Sequence, residues 1–183
     1  PEYDRVELPS GMVLYLAEDR ELPLIRLSAT IRVGAMYEPA DKLGLASMTG
    51  SVLRTGGAGE RSGDEVDALV EARGLQVNTW AGQSTGGAYL SCLTEDLDIG
   101  LELLTDILIR PQFAEDKIDP ARQEQKAGIS RRNDEPMSIA QREAPKALYG
   151  ADHPLARHPE YATVEAVTRD DMVAFHGDWY GPD

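Results

Sequence analysis

From Leu24 to Val33 the sequence alternates, with Ile25, Leu27, Ala29, Ile31 and Val33 all falling on one side. A period of two sustained over that length marks a strand with one buried face. Two shorter strands precede it, Tyr3–Leu8 and Met12–Glu18, around the turn Pro9-Ser10-Gly11. Gly11 suits the positive φ such a turn asks for. Two more follow, Leu75–Ala81 and Ala88–Leu93, joined as a hairpin across the glycine-rich Gly82–Gly87, a linker longer than a tight turn.

The remaining segments carry the helical period. Leu45, Met48, Val52 and Leu53 give Leu43–Thr55 a helical face, with Asp41 as its N-cap and Gly56-Gly57 as its stop. Glu65–Arg73 carries Val66, Leu69 and Val70, and Gly74 closes it. Thr94-Glu95-Asp96 leads into a third helix with Leu97, Leu101, Leu104 and Leu108 on one face, ended by Pro111. Ala114–Arg132 reads as a charged helix interrupted or restarted at Pro120, and Ile139–Tyr149 as another, kinked or begun late at Pro145. After the proline-bearing loop Gly150–Tyr161 come a turn at Thr163–Val167 and a last helix, Asp170–Tyr180, capped by Thr168. Hairpin-linked strands with segregated helices predict an α+β fold, a mostly antiparallel sheet with helices packed on one face. A parallel nucleotide-binding sheet needs strict strand–helix alternation, which this order lacks.

A chain of 183 residues sets a prior of one domain. With 18 basic against 32 acidic residues, the net charge of −14 argues against nucleic-acid or anionic-membrane partners. The lone Cys92 excludes an internal disulfide framework and reads as a core residue. No apolar run reaches membrane-spanning length. The expectation is a soluble protein whose compartment is unknown, bacterial cytoplasm or periplasm; the chain begins at Pro1 without an initiator methionine, so the lack of a visible signal peptide says little about it.

Ser47, Gly50 and Ser51 share one face of the helix Leu43–Thr55, at the spacing where a zinc helix carries ligands and a catalytic acid. Here that face offers two hydroxyls and a hydrogen atom. As nucleophiles the serines lack a strand–turn–helix elbow and a nearby histidine. His153 and His158 lie in a loop with Asp152 and Glu160, but without a closed ligand spacing, and read as incidental, as does His176. Gly56–Gly59 follows a helix and does not join a strand to one, so it reads as a stop rather than a phosphate cradle. Glu115, Asp116, Glu124, Asp134 and Glu135 read as a solvated face.

Several segments together carry a family resemblance: LPSGMVLYLAED (8–19), IRVGAMYEP (31–39), LGLASMTGSVLRTGG (43–57), RGLQVNTWAGQSTGGAYLSCL (73–93), LYGADHPLARHP (148–159) and VTRDDMVAFHGDWYGPD (167–183). The chain resembles the N-terminal-type domain of the insulinase, pitrilysin and mitochondrial processing peptidase family of zinc metallopeptidases. The resemblance implies a processing-peptidase-type domain spanning 1–183, a fragment of a longer chain with a second, similar domain. It also implies an HxxEH motif on the helix that matches Leu43–Thr55, with two zinc-binding histidines and a glutamate acting as base. Ser47, Gly50 and Ser51 occupy those positions. The family's third ligand, a later glutamate, aligns with Ala127 or Gly128. The implied chain is therefore a degenerate member with no cofactor of its own, although zinc is expected in active relatives.

Such members complete the chamber of a zinc protease. The implied partner is a homologous catalytic subunit bearing HxxEH, as a hetero-oligomer, or else a second copy as a homodimer. Unstructured peptide substrates would add to the edge strand Leu75–Ala81, centred on Asn78, Thr79, Trp80 and Ala81. Two alternatives stay open: an active zinc peptidase with unconventional ligands such as the His153/His158 loop, and a structural or assembly subunit like those of respiratory complexes.

Overall fold

A computed structural model describes residues 2–181, so Pro182 and Asp183 of the final resembling segment lie outside the described residues. The fold is mixed helix and antiparallel sheet. Strands β1 (Asp4–Glu7) and β2 (Val13–Leu16) form a two-stranded antiparallel ribbon, with Gly11 at φ 83° in its turn. The main sheet contains β3 (Leu24–Ile31), β4 (Gln76–Ala81) and β5 (Gly86–Leu93), ordered β3-β5-β4 with both pairings antiparallel. The hairpin expected between the last two is present, and β4 is an edge of the sheet.

Register explains which face is covered. Ile25 opposes Cys92, Leu27 opposes Leu90, and Val77 opposes Leu90 from the other side. These side chains share the face on which the core lies, while Arg26, Ser28, Gln76 and Asn78 share the opposite one. Helices α1 (Leu45–Thr55) and α3 (Leu97–Ile109) cover the apolar face, α1 beside β4 and α3 beneath β5. Around them pack α2 (Gly63–Arg73), α4 (Glu115–Arg131), α5 (Pro136–Tyr149), α6 (Tyr161–Glu165) and α7 (Arg169–Trp179). Met48, Val52, Leu53, Leu90, Leu103, Ile107, Phe113 and Met172 are the bulk of one continuous core.

Local signals account for most boundaries. Ser62 and Glu65 form a reciprocal capping box at α2, and Gly74 closes that helix at φ 62°. Thr168 and Asp171 do the same for α7. Four expectations are corrected. Asp41 does not cap α1: the cap position is Gly44 at φ 104°, and the free amides are satisfied from a distance by Glu38. The buried face of α3 runs through Gly100, Leu103, Leu104 and Ile107, and Leu101 faces solvent. Gly100 causes the rotation, because its missing side chain lets α3 close onto Leu90 and Cys92. Pro120 neither breaks nor restarts α4, which runs unbroken as Ile118, Ala121 and Ile129 pack inward and outweigh one lost backbone bond. Helix α5 begins at Pro136, whose ring suits the first helical position, with Glu135 extended before it. Among the described residues no helix is long and apolar enough to cross a membrane.

Candidate functional site

Glu38 fixes the start of α1. Its carboxylate accepts from Gly44 N at 3.1 Å and Ala46 N at 2.6 Å, at the positive end of the helix dipole. Only 5% of its surface is exposed. Burial pushes its pKa up to about 7, against the two amide hydrogen bonds and the charge of Arg157, which pull it down. Lys42 anchors the preceding turn to Asp171 of α7 at 2.8 Å.

One turn further on, α1, β4 and α4 enclose a cleft of about 350 Å³. Ser47 and Ser51 form its α1 wall, Ala121, Glu124 and Gln125 its α4 wall, and residues 78–81 of β4 its rim. Gln125 Nε2 donates to Ser47 Oγ at 2.7 Å. Thr79 Oγ1 donates to the Gly50 carbonyl at 2.6 Å, and Arg54 Nε to the Val77 carbonyl at 3.1 Å, so α1 is stitched to the edge strand twice. Gly50 makes this approach possible. A Cβ built on it would lie 2.6 Å from Ala81 N and 2.8 Å from the Trp80 carbonyl carbon, which are backbone atoms. Trp80 itself lies on the far face, its ring over Gly87.

Of the residues singled out in the sequence, Ser47, Ser51, Asn78, Thr79, Trp80 and Ala81 come together around this cleft, and Gly50 forms its contact with β4. Ala127 does not join them. It is not among the residues that line the cleft, and its carbonyl accepts from Ser130 Oγ at 2.8 Å and Arg131 Nε at 3.3 Å; Gly128, seven residues beyond Ala121 on the same helix face, has open space at its Cβ position and lines an adjoining cavity with Glu124 and Gln125. Gln125 was not singled out, although a signal existed: it continues the row Ile118, Ala121, Ile129, a polar residue on a buried face. The three histidines, two in the loop and His176 on α7, each have a separate partner. His153 Nδ1 accepts from Leu155 N at 3.2 Å, His158 Nε2 meets the Arg142 carbonyl at 3.1 Å, and His176 Nε2 meets that of Leu108 at 2.8 Å.

Zinc takes histidine, cysteine and carboxylate ligands. The cleft offers Ser47 and Ser51 hydroxyls, the Gln125 carboxamide and a single carboxylate, Glu124, with no imidazole or thiol, and that set does not fit it. Among the described residues no cluster of three or more His, Cys, Asp or Glu side chains is placed to hold a metal ion.

The match to known families is decisive. Residues 16–160 match the family model described as insulinase, peptidase family M16. The chain belongs to that family. A zinc protease of Mycobacterium leprae, itself uncharacterized, is 26% identical over 98% of this chain. Human mitochondrial cytochrome b-c1 complex subunit 2 is 31% identical over 58% of it, and this chain covers 23% of that protein. This M16 domain spans 40% of the length of the M. leprae protein. Its fold is that of the peptidase M16 inactive domain from Pseudomonas fluorescens, with a TM-score of 0.85 at 23% identity over 96% of this chain and 43% of that one. A protease from Helicobacter pylori superposes with a TM-score of 0.81 at 22% identity, over 100% of this chain and 44% of that chain.

Proposed function

We propose that this M16 domain is a non-catalytic part of a zinc-protease assembly, which completes the chamber around a homologous HxxEH-bearing subunit and helps hold extended peptide. The observation that carries the reading is the seat of Gly50. The position matching the family's catalytic acid is pressed against the backbone of β4, where an added Cβ would already sit 2.6 Å from Ala81 N. The flanking positions are Ser47 and Ser51, which supply neither imidazole nor carboxylate. Edge pairing needs only backbone groups, and β4 keeps β5 as its single strand neighbour among the described residues, with the cleft below it. Arg54 takes the Val77 carbonyl, so the pairing stretch is Asn78 to Ala81.

The test is affinity capture of the full-length protein, with zinc measured in the captured material and a fluorescent extended peptide used for binding and cleavage. The expected result is peptide bound and uncleaved by the isolated protein, with zinc appearing only alongside an HxxEH-bearing partner. Stoichiometric zinc in the isolated protein, together with cleavage abolished by a chelator, overturns the proposal. A second reading, an assembly subunit of a membrane complex, draws on the likeness to the cytochrome b-c1 subunit. Capture of a membrane complex in place of a protease partner would favour it.

A further inference from the structure

A second cavity, of about 720 Å³, adjoins the cleft. It shares Glu124 and Gln125 with the cleft and continues along α4 past Gly128 to Arg131 and Arg132, with Arg142 of α5 also lining it. Contacts at both ends of α1 fix its place relative to β4. Ala114 N, just before α4, donates to the Gly56 carbonyl at the end of α1, and Arg132 Nη1 donates to the Pro159 carbonyl, beside Gly44 at its start. Helix α4 therefore runs antiparallel to α1. Strand β4 does so too, since Val77 meets Arg54 and Thr79 meets Gly50. The cavity thus lies beyond the Ala81 end of the edge strand. No side chain at position 128 stands in the way, and a Cβ there would meet nothing within 4 Å.

The lining charge is opposite in sign to that of the molecule. Three arginines face one carboxylate, Glu124, in a chain of net charge −14, and the neighbouring Asp134 and Glu135 do not line the cavity. Two of the arginines are engaged, Arg132 with Glu160 at 2.9 Å and Arg142 with Glu143 at 3.1 Å. Glu143 is shared with Lys146 at 3.0 Å, so positive charge stays in excess. Arg131 makes no ion pair among the described residues; its Nε donates to the Ala127 carbonyl, which leaves both Nη groups for a ligand. Arg131 follows Glu124 by seven positions, so the two share one face of α4 about 10 Å apart. An extended peptide covers that distance in about three residues.

We infer that this cavity is a carboxylate subsite, which takes an aspartate or glutamate side chain of the extended peptide about three positions from the residue seated over the cleft, with Arg131 as its ligand. The path of that peptide rests on the proposed edge pairing at β4. The Arg131 guanidinium keeps its charge at any working pH and presents two N–H groups in the plane that a carboxylate matches. The field of a chain at −14 repels an acidic peptide as a whole, so a preference for one requires a local cation.

The test uses the full chain and two fluorescent extended peptides, identical except for Glu or Gln at both positions three residues from the centre. The Glu peptide is expected to bind roughly 3- to 10-fold tighter at low salt, the ratio shrinking as salt is added. Arg131→Gln, its folding checked by circular dichroism, should bring the ratio to one or below. Equal affinities for the unaltered chain, or a ratio kept by Arg131→Gln, overturn the subsite. Failure of both peptides to bind overturns edge pairing, and the cavity is then decided by N-acetyl-Glu-Glu-amide, which is too short to pair along β4. Millimolar amounts of it should shift the backbone amide signals of Gly128 and Arg132 saturably in the unaltered chain and not in Arg131→Gln. Signals that stay unmoved in the unaltered chain overturn the subsite.

Discussion

Replacing Gly50 by alanine is the sharpest probe of the α1–β4 contact. In the middle of an exposed helix this change stabilises by about 1 kcal/mol, since glycine loses the most backbone entropy on folding. At position 50 the added methyl meets Ala81 N at 2.6 Å and the Trp80 carbonyl carbon at 2.8 Å. Both are backbone atoms of a strand paired along β5, and they cannot swing aside as a side-chain tip would. Overpacking of that kind costs about 1–3 kcal/mol. Lifting β4 also strains the 2.6 Å hydrogen bond from Thr79 to the Gly50 carbonyl, a further ~0.5–1.5 kcal/mol. The net expectation is a loss of about 0.5–3.5 kcal/mol, seen in urea unfolding as a lower midpoint at unchanged slope. Gly128→Ala on α4 is the control, because nothing lies within 4 Å of its Cβ position. It should gain about 0.5–1 kcal/mol. If both variants are stabilised alike, β4 yields freely and position 50 is not closed to side chains.

Glu38→Gln should change how stability depends on pH. The folded carboxyl has its pKa raised to about 7, so its contribution is complete below the ordinary value of 4.5 and is lost as pH climbs through 7. Unfolding followed from pH 5 to 8 should show the native protein falling by up to about 3 kcal/mol more than the variant, and parallel curves would refute the assignment. Replacing His153 and His158 together by alanine should leave the metal content of purified protein unchanged. The measurement is elemental analysis, and a drop would revive the loop as a ligand site.

What could be read from the sequence was what neighbours in the chain decide. The half-buried alternation of β3, the capping box begun by Thr168 and the glycine stops of α1 and α2 each depend on residues within one or two turns. The errors arose where distant residues intervene. Asp41 has the chemistry of a cap, but the carboxylate that reaches Gly44 N and Ala46 N across the turn is that of Glu38. Leucines 97, 101, 104 and 108 form a regular row, but Gly100 rotates α3 toward Leu90. The cleft was half legible. The α1 residues stand at helical spacing within a single segment, and the reading of them needed no third dimension. The α4 residue depends on how two helices with many residues between them dock, and no count along the chain supplies that rotation. Along the chain Gln125 stands out only as a polar member of the row Ile118, Ala121, Ile129, and its place at the cleft follows from its amide lying beside Ser47.

The closeness of α1 to β4 also bears on mutational history. A single base change can turn a glycine codon into one for glutamate, so the acid at position 50 is one step away in nucleotide terms. In protein terms that step inserts a long side chain where even a methyl has no room. Histidines placed at 47 and 51 alone bring no acid with them, and an acid placed at 50 first has to move the backbone of β4. Gly50 is thus the smallest residue on the face and the one that sets how near a helix and a strand can lie.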